Sequence, residues 1–178
     1  MNGKVHVAIG AGSLAVLCVK YPGGFEFANT HIVPIIGLVT ASFGSYLPDI
    51  DQGRTHMGMK HKHISKAVNK VGGGHRGITH TLLFPSIFIG LMYFVSNYLA
   101  GLYYIQSIVG SLLFGMIYGY CMHLAADLFN GKGIPLFWPI IKGKIHIMDL
   151  PSSGFIPWLF AVLVVGGFAL ITLGGVFG

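Results

Sequence analysis

Residues 105–127, IQSIVGSLLFGMIYGYCMHLAAD, decide how the rest of the chain is read. A helix needs about 20 predominantly apolar residues to cross a bilayer. This stretch has that length and contains no lysine or arginine. Its one imidazole and its one carboxylate, His123 and Asp127, both come at its end. Four residues apart, they share a helix face. Gly115 and Gly119 continue that face one and two turns back, and small residues at four-residue spacing let helices pack closely. The face bearing His123 and Asp127 therefore points into a bundle. Ionisable groups against hydrocarbon are expensive, so both need partners there.

Working outward, four more apolar stretches lie at roughly 5–20, 32–48, 78–99 and 155–177. The chain is 53% hydrophobic and 9% charged, with a mean hydropathy of +0.72. Soluble domains carry about 25% charged residues, so the expected fold is all-α. It is a single integral membrane bundle of about five transmembrane helices over residues 1–178. The first stretch, VHVAIGAGSLAVLCV, has the composition of a signal-peptide core, but His6 and Gly12 interrupt it and no clear cleavage site follows; it reads as a retained helix. Cys18 and Cys121 both fall in apolar stretches, which argues against a disulfide framework.

The net charge is +6. In a soluble protein that would suggest nucleic acid; here topology explains it, and no nucleic-acid partner is expected. Arg54, Lys60, Lys62, Lys66, Lys70 and Arg76 lie in one long loop, 49–77, and Lys132, Lys142 and Lys144 in another, 128–154. Lysine and arginine collect on cytoplasmic loops. The expected topology has the N-terminus and both loops in the cytoplasm and the C-terminus outside, in a prokaryotic inner membrane.

The histidines and acids fall into place on that topology. His6 opens the first span, and Asp49 and Asp51 follow the second in SYLPDID. His75 and His80 precede the third in GGGHRGITHTLLF, residues 72–84, and His123 and Asp127 close the fourth. All seven reach one membrane face from separate segments. Glycines 72–74 and 77 put His75 in a turn and His80 in the first helical turn. Histidine with aspartate suits zinc, or manganese or iron. Seven candidates for a four-ligand ion suggest two metals, or supporting roles for some. His31, His56, His61, His63 and His146 read as loop or interfacial residues.

A metal would lower the pKa of bound water towards ~7. Asp49 or Asp51 would orient that water or take its proton. The planar fork of Arg76 suits a phosphate, and Lys132, in a flexible NGKG turn, would reach the same group. The expected substrate is a lipid or lipid-linked phosphoester arriving by lateral diffusion, with membrane lipids as partners; the basic loop would favour anionic headgroups. Metal transport and a metal-stapled structural or regulatory module are the alternatives. Transporter sites tend to lie near the midplane, and these residues crowd one face.

LPDID at 47–51, HRGITHT at 75–81 and HLAADLFNGKGIPLFWP at 123–139 resemble the YdjM-like family of inner-membrane proteins, described as metal-dependent hydrolases. The likeness runs from His6 to about residue 140. It implies that His6, Asp49, Asp51, His75, His80, His123 and Asp127 occupy the family's polar motif positions. Asn130 stands where threonine is expected. The pattern is also remotely similar to zinc-dependent phospholipase C and P1-type nucleases, helical enzymes that hold zinc with histidine and aspartate.

Overall fold

The computed structural model describes residues 2–51, 59–71, 77–141 and 143–174. Its elements run α1 (Gly3–Lys20), β1 (Phe25–Phe27), β2 (Thr30–Ile32), α2 (Pro34–Gly44), a 3-10 turn (Pro48–Asp51), α3 (Lys62–Val71), a second 3-10 turn (Ile78–His80), α4 (Leu83–Tyr98), α5 (Tyr103–Asp127) and α6 (Phe155–Gly174). Five of these helices are apolar and sit close to the five expected stretches. Three of them, α1, α5 and α6, are long and apolar enough to cross a membrane.

The second helix is shorter than its apolar stretch. At 11 residues and 1.5 Å per residue, α2 covers about half of a ~30 Å hydrocarbon core. Its limits are local. Pro34 starts it from the first helical turn, where a missing N–H costs nothing. Pro48 disfavours helical geometry in the residue before it, and the chain has already turned at Ser45–Leu47. The connection at 21–31 holds a small antiparallel hairpin, Phe25 opposite Ile32 and Phe27 opposite Thr30. Ala28 and Asn29 form its tip with φ of 48° and 59°, as a tight two-residue hairpin turn requires. The 49–77 loop also contains a helix, α3, with Lys62, Lys66 and Lys70 exposed along it.

The centre of the bundle is the seam between α2 and α5. Backbone meets backbone there. A Cβ added at Gly115 or Gly119 would overlap the Gly37 or Ala41 carbonyl oxygen, and one at Gly44 would overlap that of Met116. The Ser45 hydroxyl crosses the seam to the Gly119 carbonyl at 3.3 Å. Leu14, Ile32, Met92, Phe114 and Ile117 fill the apolar core beside it. By contrast α6 touches mainly α1 and leaves Phe155, Val162, Leu163, Leu170 and Ile171 exposed, the surface expected to face lipid.

Four helix ends lie at one pole of the bundle. There α1 begins, α2 runs into the first 3-10 turn, the second 3-10 turn leads into α4, and α5 ends. α3 packs against the first 3-10 turn at this same pole.

A buried histidine–aspartate cluster

Six of the seven expected residues meet at that pole. His6, Asp49, Asp51, His80, His123 and Asp127 are all buried. His75 and Arg76 lie outside the described residues. The helix and turn geometry explains the meeting. His6 sits one turn into α1, and His123 and Asp127 occupy one face of the last turn of α5. Asp49 and Asp51 come from the first 3-10 turn and His80 from the second. His80 thus ends a 3-10 turn instead of opening α4, because Thr81 is extended and breaks the helical run.

Asp127 is the hub. Its Oδ1 lies 3.4 Å from His6 Nε2, and its Oδ2 lies 3.5 Å from His80 Nε2 and 3.7 Å from His123 Nε2. Asp49 Oδ1 approaches His123 Nε2 at 3.9 Å. The His6 ring stacks on His123, with centroids 3.8 Å apart and planes at 19°.

These separations carry chemical information. A hydrogen bond between nitrogen and oxygen spans about 2.7–3.2 Å. Donor atoms around a tetrahedral zinc ion, each about 2.0–2.2 Å from it, stand roughly 3.3–3.6 Å apart. The shorter contacts to Asp127 match the second range. Both nitrogens of His6 and Nε2 of His123 make no hydrogen bond among the described residues, although fully enclosed. Buried polar atoms without partners cost about 1–3 kcal/mol each.

The state of His123 sharpens this. Its Nδ1 is 2.7 Å from the Ser45 carbonyl oxygen. A carbonyl only accepts, so Nδ1 carries the hydrogen and Nε2 of the neutral ring is a lone pair. That lone pair faces two carboxylates. Acceptor against acceptor is repulsive in a dry interior unless a cation stands between them. Three imidazoles and two carboxylates fit a divalent ion of the zinc, manganese or iron type. Among the described residues, two triads have donors close enough for one: His6, His123 and Asp127, and Asp49, His80 and His123.

The two 3-10 turns differ electrostatically from ordinary loop positions. Burial pushes the Asp49 carboxyl above the usual carboxylate range, against the pull of His6 and His80. Burial also opposes a charge on His80, but Asp127 and Asp51 outweigh it and hold that imidazole above the ordinary histidine value. The cluster attracts positive charge.

Asp51 stands on the far side of His80 from Asp127. Its Oδ2 is 3.5 Å from His80 Nδ1 and accepts a 2.9 Å hydrogen bond from Thr79 Oγ1. Tyr120, buried three residues before His123, donates its hydroxyl to the Thr79 carbonyl and anchors this turn to α5. Thr79, Tyr120 and the Ser45 carbonyl were not anticipated from sequence. Thr79 and Tyr120 had a signal in their adjacency to His80 and His123; a backbone carbonyl has none. Lys132 is exposed in the turn after α5. Asn130 is buried and structural: its amide donates to Ser152 Oγ at 3.2 Å and its Oδ1 accepts from the Lys132 N–H at 3.3 Å. His146 pairs with Asp149 at 3.6 Å on the exposed loop.

A family model described as "YdjM inner membrane protein" matches residues 1–176. The chain is 38% identical to inner membrane protein YdjM of Escherichia coli (strain K12) over 109 residues, 61% of this chain and 50% of that protein. The same values hold for inner membrane protein YdjM of Shigella flexneri. It is 30% identical to the Bacillus subtilis (strain 168) protein YvsG over 139 residues, 78% of this chain and 74% of that one. The chain's match spans half the length of the two YdjM proteins. No solved structure matches.

Proposed function

The chain belongs to the YdjM inner-membrane protein family, and we propose that its buried cluster holds a divalent metal ion, most readily zinc, and serves a hydrolase. The substrate we infer is a phosphoester of a lipid or lipid-linked molecule at the cytoplasmic membrane face. The observation that carries the metal reading is the lone pair of His123 Nε2, fixed by the Ser45 carbonyl and aimed at Asp127 and Asp49.

His6, His80, His123 and Asp127 would hold the ion, with Asp49 completing or adjoining the set. Bound there, the ion would supply Lewis-acid activation of water at neutral pH. Asp49 suits the role of proton acceptor: its carboxyl is already pushed upward by burial, and a general base works best with a pKa nearer the operating pH. Its side chain is 10% exposed, against 1% or less for its neighbours His123 and Asp127, so it lies nearest the mouth of the cluster. Arg76 and Lys132 are assigned to the substrate phosphate on charge and chain position. The exposed lysines of α3, beside the first 3-10 turn, favour an anionic headgroup. The cytoplasmic orientation rests on the lysines of the two long loops, among the described residues Lys62, Lys66, Lys70, Lys132 and Lys144.

The near-complete burial of the three histidines favours a second reading, a metal that staples four chain segments without turnover. A closed ligand shell marks such a site, whereas an enzyme keeps an open position.

The test is elemental analysis of detergent-purified protein prepared without chelator, beside His80→Ala and Asp127→Ala. Stoichiometric zinc, manganese or iron in the wild type and its loss in both variants is expected. Metal-free wild type refutes the proposal. Metal without hydrolysis of any lipid phosphate or soluble phosphoester favours the staple.

A further inference from the structure

His123 is polarised by a carbonyl. We propose that Thr79, backed by Asp51, does the same for His80 and is a positioning residue of the site. The inference rests on the metal reading only for its consequence; its structural content stands alone.

The hydrogens of the Thr79 hydroxyl and the His80 ring can be counted. A threonine hydroxyl has one hydrogen to donate and lone pairs to accept with. Thr79 Oγ1 gives its hydrogen to Asp51 Oδ2 at 2.9 Å, since a carboxylate only accepts. The same Oγ1 lies 3.1 Å from His80 Nδ1. Its hydrogen being spent, it meets that nitrogen as an acceptor. Asp51 Oδ2, 3.5 Å from the same Nδ1, is an acceptor too. Nδ1 has an acceptor within hydrogen-bond reach, at 3.1 Å, whereas the carboxylate on the Nε2 side, Asp127 Oδ2, stands at 3.5 Å; the nearer acceptor places the hydrogen of the neutral imidazole on Nδ1. Nε2 is then the lone pair, and it faces Asp127 Oδ2 at 3.5 Å. Both His80 and His123 thereby present Nε2 to one carboxylate.

Two features show that the arrangement is built. Thr79, His80 and Asp51 are each at most 3% exposed, so water does not compete for these atoms. The turn carrying Thr79 is pinned by Tyr120 through the backbone carbonyl, not the side chain. Replacing the hydroxyl therefore removes the polarising contact and leaves the anchor.

This assigns Asp51 a place behind a ligand, distinct from Asp49, although the two are alternate residues of LPDID. Carboxylate–histidine–metal arrays of this form fix the ring and its tautomer, and losing the outer partner typically costs about 10–100-fold in metal affinity.

The experiment compares wild type, Thr79→Ser and Thr79→Val, all full length in detergent and labelled with 15N-histidine. His80 is assigned by difference against His80→Gln. Nitrogen NMR at alkaline pH, without metal, reads which ring nitrogen bears hydrogen. Wild type and Thr79→Ser should show His80 protonated at Nδ1; Thr79→Val should populate the other tautomer. Zinc and cadmium titrations should give a 10–100-fold weaker dissociation constant for Thr79→Val, with Thr79→Ser restoring wild-type affinity. Hydrogen on Nε2 in wild type overturns the inference, as does a Thr79→Val protein with unchanged tautomer and affinity. A wild type that binds neither metal refutes the proposed function, and the tautomer measurement still decides this one.

Discussion

Gly119→Ala tests the link between the helix seam and the cluster. The new Cβ would overlap the Ala41 carbonyl oxygen and approach Ser45 N at 2.9 Å. Both obstacles are backbone, so no side chain can swing aside. Carbon and its non-bonded neighbours settle at about 3.5–4.0 Å, so α2 must retreat by ~1 Å or more. Ser45 moves with it. The 2.7 Å contact from His123 Nδ1 to the Ser45 carbonyl then stretches past the ~3.2 Å limit of a good hydrogen bond. Overpacking costs about 1–3 kcal/mol, and a buried N–H left without its acceptor about 1–3 kcal/mol more. The expected total is about 2–5 kcal/mol, with metal affinity reduced on the order of tenfold or more through the disoriented imidazole. Thermal unfolding in detergent with and without zinc, alongside metal titration, measures both. An unfolding midpoint and zinc affinity equal to wild type would refute the account of the seam.

Asp49→Asn should stabilise the metal-free protein at neutral pH. The folded carboxyl is raised, so the folded state binds its proton more tightly than the unfolded chain, and stability falls as pH rises from the ordinary value of 3.8 through the folded one. The gain should vanish in acid; no gain at pH 7 counts against it. With metal present, the same variant should lose phosphoester turnover, and full turnover would remove Asp49 as the base. Asn130→Ala forfeits two hydrogen bonds that brace the 128–154 loop, for about 1–3 kcal/mol; unchanged proteolysis of that loop would show the bracing to be immaterial. A single cysteine at Lys132, with Cys18 and Cys121 replaced, should react with impermeant maleimide only from the cytoplasmic side; labelling from outside would invert the topology.

The apolar helices were legible because lipid imposes one strong rule, a run of about 20 residues without charge. The cluster was legible because His6, His123 and Asp127 interrupt such runs where nothing else explains them. The shortness of α2 was hidden: Ile32 and Val33 look as apolar as the helix they precede, but pairing of Thr30–Ile32 with Phe25–Phe27 takes Ile32 out of it, and Val33 is the extended residue before Pro34 starts the helix. Strands of three residues carry too little alternation to announce themselves. α3 was submerged in a loop read for charge alone. The separation of Asp49 from Asp51 was equally hidden. In an extended DxD segment they would point the same way, whereas the 3-10 turn aims one at His123 and the other at His80.

The contact of α2 with α5 through glycine has a bearing on how this protein varies. Where side chains set a helix–helix distance, a larger residue on one side is absorbed by a smaller one opposite. Where main-chain atoms set it, no compensating exchange exists, because the partner surface cannot shrink. Gly44, Gly115 and Gly119 are therefore fixed singly, while the outward faces of α4 and α6 answer only to oil solubility. Among related chains the interior seam should stay constant beneath a freely drifting coat, and the spacing that sets His123 against Ser45 is inherited from the diameter of a bare helix.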